Sequence, residues 1–217
     1  MRRVGLVRAY ALTGIASMAF LVTLACGTPC SAGSAVTVSG TESWPATTYY
    51  LDSLTITSTG HLTLQAGCVL KFDSSAGGVI VEGTLIASGA SLNPVVFTSS
   101  SGTPSSWDGI VVESGGVLDL DYAEVDDAGY GVNIVYVDGG QASLDHCLIT
   151  DGDWAGVEVS GSTSDLTLDD VVVRDCWEGV DCYDGGNVTI SDLSVSDVDF
   201  NGTRSGTAGM SPSRTPQ

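Results

Sequence analysis

Leu168-Asp169-Asp170-Val171-Val172-Val173-Arg174-Asp175 decides the fold, because its pattern occurs four times without a gap. The other copies are Leu120 to Asp127, Leu144 to Asp151 and Ile190 to Asp197, at steps of 24, 24 and 22 residues. Each copy has an aliphatic residue first and sixth, a small or aliphatic residue fourth and aspartate eighth. A second set falls between them: Gly109-Ile110-Val111-Val112, Gly131-Val132-Asn133-Ile134, Gly156-Val157-Glu158-Val159 and Gly179-Val180-Asp181-Cys182.

Alternation with period two predicts short strands with one buried face. No helical pattern follows any of them, so they are not strand–helix–strand units. A repeat of about 23 residues built from short strands cannot bury its apolar face alone. Stacking each repeat on the next buries that face in one continuous core, which predicts a β-solenoid. The earlier half keeps the period at Gly60-His61-Leu62, Gly83-Thr84-Leu85 and Gly116-Val117-Leu118. The longer last step there matches the Ser/Thr/Pro-rich stretch 99–106, expected to leave the solenoid as a side loop.

Gly83-Thr84-Leu85-Ile86-Ala87, Asn93-Pro94-Val95-Val96-Phe97-Thr98 and Trp107-Asp108-Gly109-Ile110 resemble a segment of secreted bacterial right-handed parallel β-helix proteins of the pectin-lyase-like kind. The resemblance spans about Trp44 to Gly202 and implies an all-β, single-stranded parallel β-helix. Handedness follows from it and from the right-handed crossover rule. Such proteins include surface proteins, adhesins and polysaccharide-active enzymes, so the resemblance implies a fold and leaves function open.

The N-terminus predicts export. Arg2, Arg3 and Arg8 precede an apolar run from Ala9 to Leu24, as in a signal peptide spanning 1–25. Thr23-Leu24-Ala25-Cys26-Gly27 resembles a bacterial lipobox, with Thr23 where leucine is usual. The resemblance implies lipidation at Cys26, a membrane anchor, and an outer-membrane or cell-surface location. Ordinary cleavage after Ala32 is the alternative. Residues 26–43 are expected to be a flexible tether, 44–202 the β-helix and 203–217 a disordered tail.

The chain carries 7 basic and 26 acidic side chains, a net charge of −19. Three of the basic residues lie before Cys26, so the processed chain would hold 4 against 26, a net of −22. Such a surface repels phosphate backbones, which argues against nucleic acid as a partner. It attracts divalent cations or basic partners, or serves simple solubility, and a glycan or protein ligand is the partner expected. Of six cysteines, Cys68, Cys147, Cys176 and Cys182 are scattered without a metal-site spacing; Cys147 and Cys182 fall in the inward columns.

Stacking turns sequence period into columns of side chains about 4.8 Å apart. Asp127, Asp151, Asp175 and Asp197 form one. Its carboxylates are expected to organise turns by accepting backbone N–H bonds, in preference to binding Ca²⁺ through Asp127, Asp151, Asp153 and Asp175. No other cofactor is expected.

Tyr130, Trp154, Trp177 and Phe200 form a second column. Burial in the core is the favoured reading, and an outward column for stacking sugar rings the other. Tyr122, His146, Asp170 and Asp192 form a third, beside Asp121, Asp145 and Asp169. There His146, Asp145, Asp170 and Arg174 are the only set able to do acid–base work, as a polysaccharide lyase or hydrolase. Only Lys71 and Arg174 are basic between Trp44 and Phe200, too few for a polyanionic substrate. A non-enzymatic acidic surface lipoprotein is the preferred reading.

Overall fold

Parallel pairing of Leu120 with Leu144, Leu144 with Leu168, and Leu168 with Ile190 sets the register of the whole molecule. A computed structural model describes residues 33–73, 77–205 and 210–212. Among these the chain is an all-β parallel solenoid with three faces per coil.

The first face is an eight-stranded sheet that includes Val117–Asp121, Gln141–Asp145 and Asp165–Asp169. The second includes Val95–Ser99, Ala123–Val125 and Leu148–Thr150. The third includes Ile110–Val112, Val135–Asp138 and Ala155–Ser160. Three long strands, Thr48–Ile56, Val171–Cys182 and Leu193–Ser205, run from the second face into the third and join them as one sheet.

Alternation becomes stacked core columns. Leu120, Leu144 and Leu168 are fully buried, and Ile190 packs half-buried beside them. Val125, Ile149 and Val173 form the matching column on the second face, and Ile110, Val135, Val157 and Val180 on the third. Each fully buried aliphatic side chain contributes about 1.5–3 kcal/mol by leaving water. Phe72 and Trp107 fill the wider early coils, their rings stacked at 4.2 Å and 8°. Trp107 is wholly buried, so its indole N–H needs a partner and donates to the Asp126 carbonyl at 2.9 Å.

The corners explain the aspartates. Asp127, Asp151, Asp175 and Asp197 all have φ of 54–61°, and Tyr122, His146 and Asp170 have φ of 49–52°. A parallel coil turns sharply by placing one residue in the left-handed region. Asp and His tolerate that region better than most residues, whereas Tyr122 is an unusual occupant. The eighth position of the repeat is therefore a backbone requirement before it is a charge.

Four expectations change. The first coil begins at Ser34, not Trp44: Ser34–Val38 pairs with Thr48–Ile56, and Thr41–Trp44 with His61–Gln65. Its apolar residues are few, because an end strand has a neighbour on one side only. Beyond residue 202 the strand continues to Ser205, and Met210–Pro212 pairs with Asn187–Ile190. The remaining tail, residues 26–32 of the tether, and the export signal with Cys26 lie outside the described residues.

Gly131 to Ile134 is also out of register, since Val135 pairs with Ile110 and Val157. Gly131 instead sits at φ +65° in a wider turn. Finally, the 99–106 stretch leaves the solenoid only over 100–104, which are exposed, and its end packs back on it. Ser106 donates its N–H to the Asp127 carbonyl at 2.8 Å and Ser105 to that of Asp151 at 3.3 Å, so the loop lies along the next two corners.

Candidate functional site

The corner between the second and third faces carries hydroxyls, carboxylates and exposed rings together. Thr98 and Ser99 donate to Asp127 Oδ2 at 3.1 and 3.3 Å. Thr150 contacts Asp151 Oδ2 at 2.9 Å and Asp175 Oδ2 at 3.4 Å. Ser99, Asp127 and Thr150 are buried. These carboxylates thus accept bonds from side-chain hydroxyls, within a coil and across coils, in place of the backbone N–H donors expected from the sequence. Asp126, next to this row, carries the cost of crowding. Burial first, then the charges of Asp127 and Asp151, push its carboxyl up to about 6.

On the outer side of the same corner stand the aromatics. Trp154 is 51 % exposed, Trp177 43 % and Phe200 62 %. Burial, the favoured reading for this column, is overturned. The reason is parity. Val173 points inward and Arg174 outward, but Asp175 turns left-handed and resets the alternation, so Cys176 points in and Trp177 out.

Trp177 and Phe200 stack at 5.8 Å with 10° between their planes. Trp177 follows Trp154 on the next coil, its N–H donating to the Trp154 carbonyl at 3.0 Å. Tyr130, also exposed, stands at the same corner of the preceding coil, in the wide turn around Gly131. Flat apolar faces bordered by Asp153, Asp175 and Asp199 can stack sugar rings and accept hydrogen bonds from their hydroxyls.

The acid–base set divides between two corners. At the turn from the first face to the second, His146 Nδ1 lies 2.7 Å from Asp145 Oδ1 and 3.8 Å from Asp121 Oδ1, and its Nε2 lies 3.7 Å from Asp170 Oδ2. Tyr122 stacks on the imidazole at 4.3 Å and 14°. Arg174 stands four residues along the strand from Asp170, roughly 13 Å away at about 3.3 Å per residue. It faces Asp175 at 3.5 Å. Three of the four residues meet and the cation does not join them. Asp121, expected beside this column but outside the acid–base set, joins it, because the Leu120–Leu144 register puts it next to Asp145.

Among the described residues, only Asp121, Asp145 and His146 bring three ligand atoms within 4.8 Å of one another. The calcium candidates Asp127, Asp151, Asp153 and Asp175 form no such group. Cys68, Cys147, Cys176 and Cys182 are free and buried. Burial pushes the thiols up, to about 11 for Cys68 and Cys176 and about 12 for Cys147, so they stay protonated at neutral pH.

A family model described as a right-handed β-helix region matches residues 77–209, more than half the chain. The chain belongs to the right-handed β-helix family. No curated protein and no solved structure matches it. The match covers every coil that carries the acidic corner and the aromatic column, so both belong to the β-helix body.

Proposed function

We propose that this β-helix protein is an exported, lipid-anchored surface protein that holds glycan chains along its outer aromatic column without processing them. The observation that carries this reading is the exposure of Trp154, Trp177 and Phe200 on successive coils, with the last two rings parallel. Exposed large aromatics lose favourable free energy in water, so a row of them suits a surface that another molecule covers. Neighbouring coils lie about 4.8 Å apart, a spacing comparable to that of sugar rings along a polysaccharide. The carboxylates beside the column favour neutral or basic sugars and repel uronic acids.

The lyase or hydrolase reading gains less support. His146 has carboxylates on both sides but no nearby arginine to hold an acidic substrate, since Arg174 lies against Asp175. The anchor rests on the basic and apolar N-terminus and on Cys26 within its lipobox-like sequence. The test is a paired assay on one preparation of the purified chain. It would be screened for binding to neutral, basic and uronic polysaccharides, and for new reducing ends or unsaturated products from each. Binding to neutral or basic glycans without product supports the proposal. Product release with loss of activity in His146→Ala would replace it with the enzyme.

A further inference from the structure

We infer that the Asp121–Asp145–His146 corner is a binding site for a divalent ion of the zinc, nickel or copper class. This does not rest on the glycan reading, because it concerns a different corner of the coil.

The donor set comes first. Parallel register stacks Asp121 on Asp145, and the one-residue left-handed turn at His146 folds its imidazole back over both carboxylates. Their three ligand atoms lie within 4.8 Å of one another. Atoms bound to one ion at about 2.0–2.2 Å stand roughly 3–4.4 Å apart, so small side-chain rotations from the observed 2.7 and 3.8 Å suffice. An imidazole with two carboxylate oxygens suits zinc, nickel or copper better than the all-oxygen preference of calcium and magnesium.

Two further observations separate this corner from an ordinary acidic surface. Asp145 Oδ1 is shielded from solvent, in a side chain that is 44 % exposed overall, and has His146 Nδ1 as a close neighbour at 2.7 Å. A carboxylate oxygen in that position calls for a cation. The orientation of the ring is the second. Nδ1 faces the two carboxylates while Nε2 faces Asp170 at 3.7 Å, and Tyr122 stacks on the ring at 4.3 Å. At 3.7 Å Asp170 is beyond hydrogen-bond reach, but it lies on the side where the other nitrogen of a metal-bound histidine commonly meets a carboxylate. The corner is partly exposed, so water or a ligand group can complete the coordination sphere.

The histidines give a direct readout, because the chain has only two and His61 is a built-in control. Tag-free full chain would be titrated with Zn²⁺ while the side-chain nitrogen resonances of both histidines are followed by NMR. Mg²⁺ at equal ionic strength serves as the comparison. Zn²⁺ should shift His146 Nδ1 at about one equivalent and leave His61 in place, and Mg²⁺ should move neither. Because the readout is specific to histidine, zinc held by Cys26 or Cys30 does not imitate it. His146→Gln should weaken calorimetric Zn²⁺ binding by at least tenfold, and Asp121→Asn should weaken it in a chain that keeps both histidines. Histidine resonances that respond to pH but not to Zn²⁺ would overturn the inference and leave a proton as the bridging cation. Equal shifts at His61 and His146 would overturn it as well.

Discussion

Asp175 on one coil and Thr150 on the coil before it meet at 3.4 Å, and the same hydroxyl reaches Asp151 at 2.9 Å. That shared donor links two like-charged corners, both with left-handed backbone. It makes the acidic column a device for turning the chain, with its charge a secondary consequence.

Substitution at Asp175 separates the two roles. Asp175→Asn keeps both an acceptor and tolerance of the left-handed region, so the denaturation midpoint should correspond to a change within about 0.5 kcal/mol. Asp175→Val keeps neither and should cost about 1–2 kcal/mol. Millimolar calcium should raise the melting temperature no more than sodium at equal ionic strength. A calcium-specific rise would show that the corner carboxylates bind the ion, because a ligand of the native state stabilises it by mass action.

Asp126 should make stability depend on pH in the direction opposite to a salt-bridged acid. Its folded pKa, about 6, lies above the ordinary value of 3.8. The folded state therefore holds the proton more tightly, and the contribution is fully present below about pH 4 and lost as pH rises through 6. Asp126→Asn should flatten unfolding free energy across that window. It should also stabilise the chain at pH 8 by about 1 kcal/mol, a figure reduced for partial exposure and solvent screening.

Cys26→Ser should abolish lipid labelling and release the protein from the membrane fraction of an expressing bacterium. A single acyl chain contributes about 0.8 kcal/mol per buried CH₂, and nothing in the acidic body replaces it. Unchanged fractionation with no lipid label on the parent chain would indicate ordinary secretion or a retained signal segment.

Much of the fold was legible because a solenoid writes its contacts into sequence period. Leu120, Leu144 and Leu168 repeat at the coil length, and the register pairs them without further information. What escaped the reading lies where the period breaks. Counting by twos from Val173 carries Trp177 inward, and only the left-handed Asp175 between them turns it out. The sequence marks the aspartate as a turn, but the reset of the in–out alternation before Trp177 lies in its left-handed backbone.

The wide turn around Gly131 shifts the register, so that Val135 and not Val132 pairs with Ile110 and Val157. The path of the 99–106 loop depends on backbone contacts to Asp127 and Asp151, 21 and 46 residues from Ser106 and Ser105. Local composition carries no trace of such contacts. The sequence period sets Asp121 beside the His146 column, but the approach of the imidazole to its carboxylate at 3.8 Å depends on the left-handed turn at His146.

The central claim, that the outer aromatic column holds glycan, is tested most directly by dissociation constants for the best-binding polysaccharide from the screen. Trp154→Ala and Trp177→Ala should each weaken binding about tenfold, equivalent to roughly 1.4 kcal/mol. Both side chains are exposed, so melting temperature and circular dichroism should stay as in the parent chain. Unchanged affinity in both folded variants would contradict the account and place the ligand elsewhere on the solenoid.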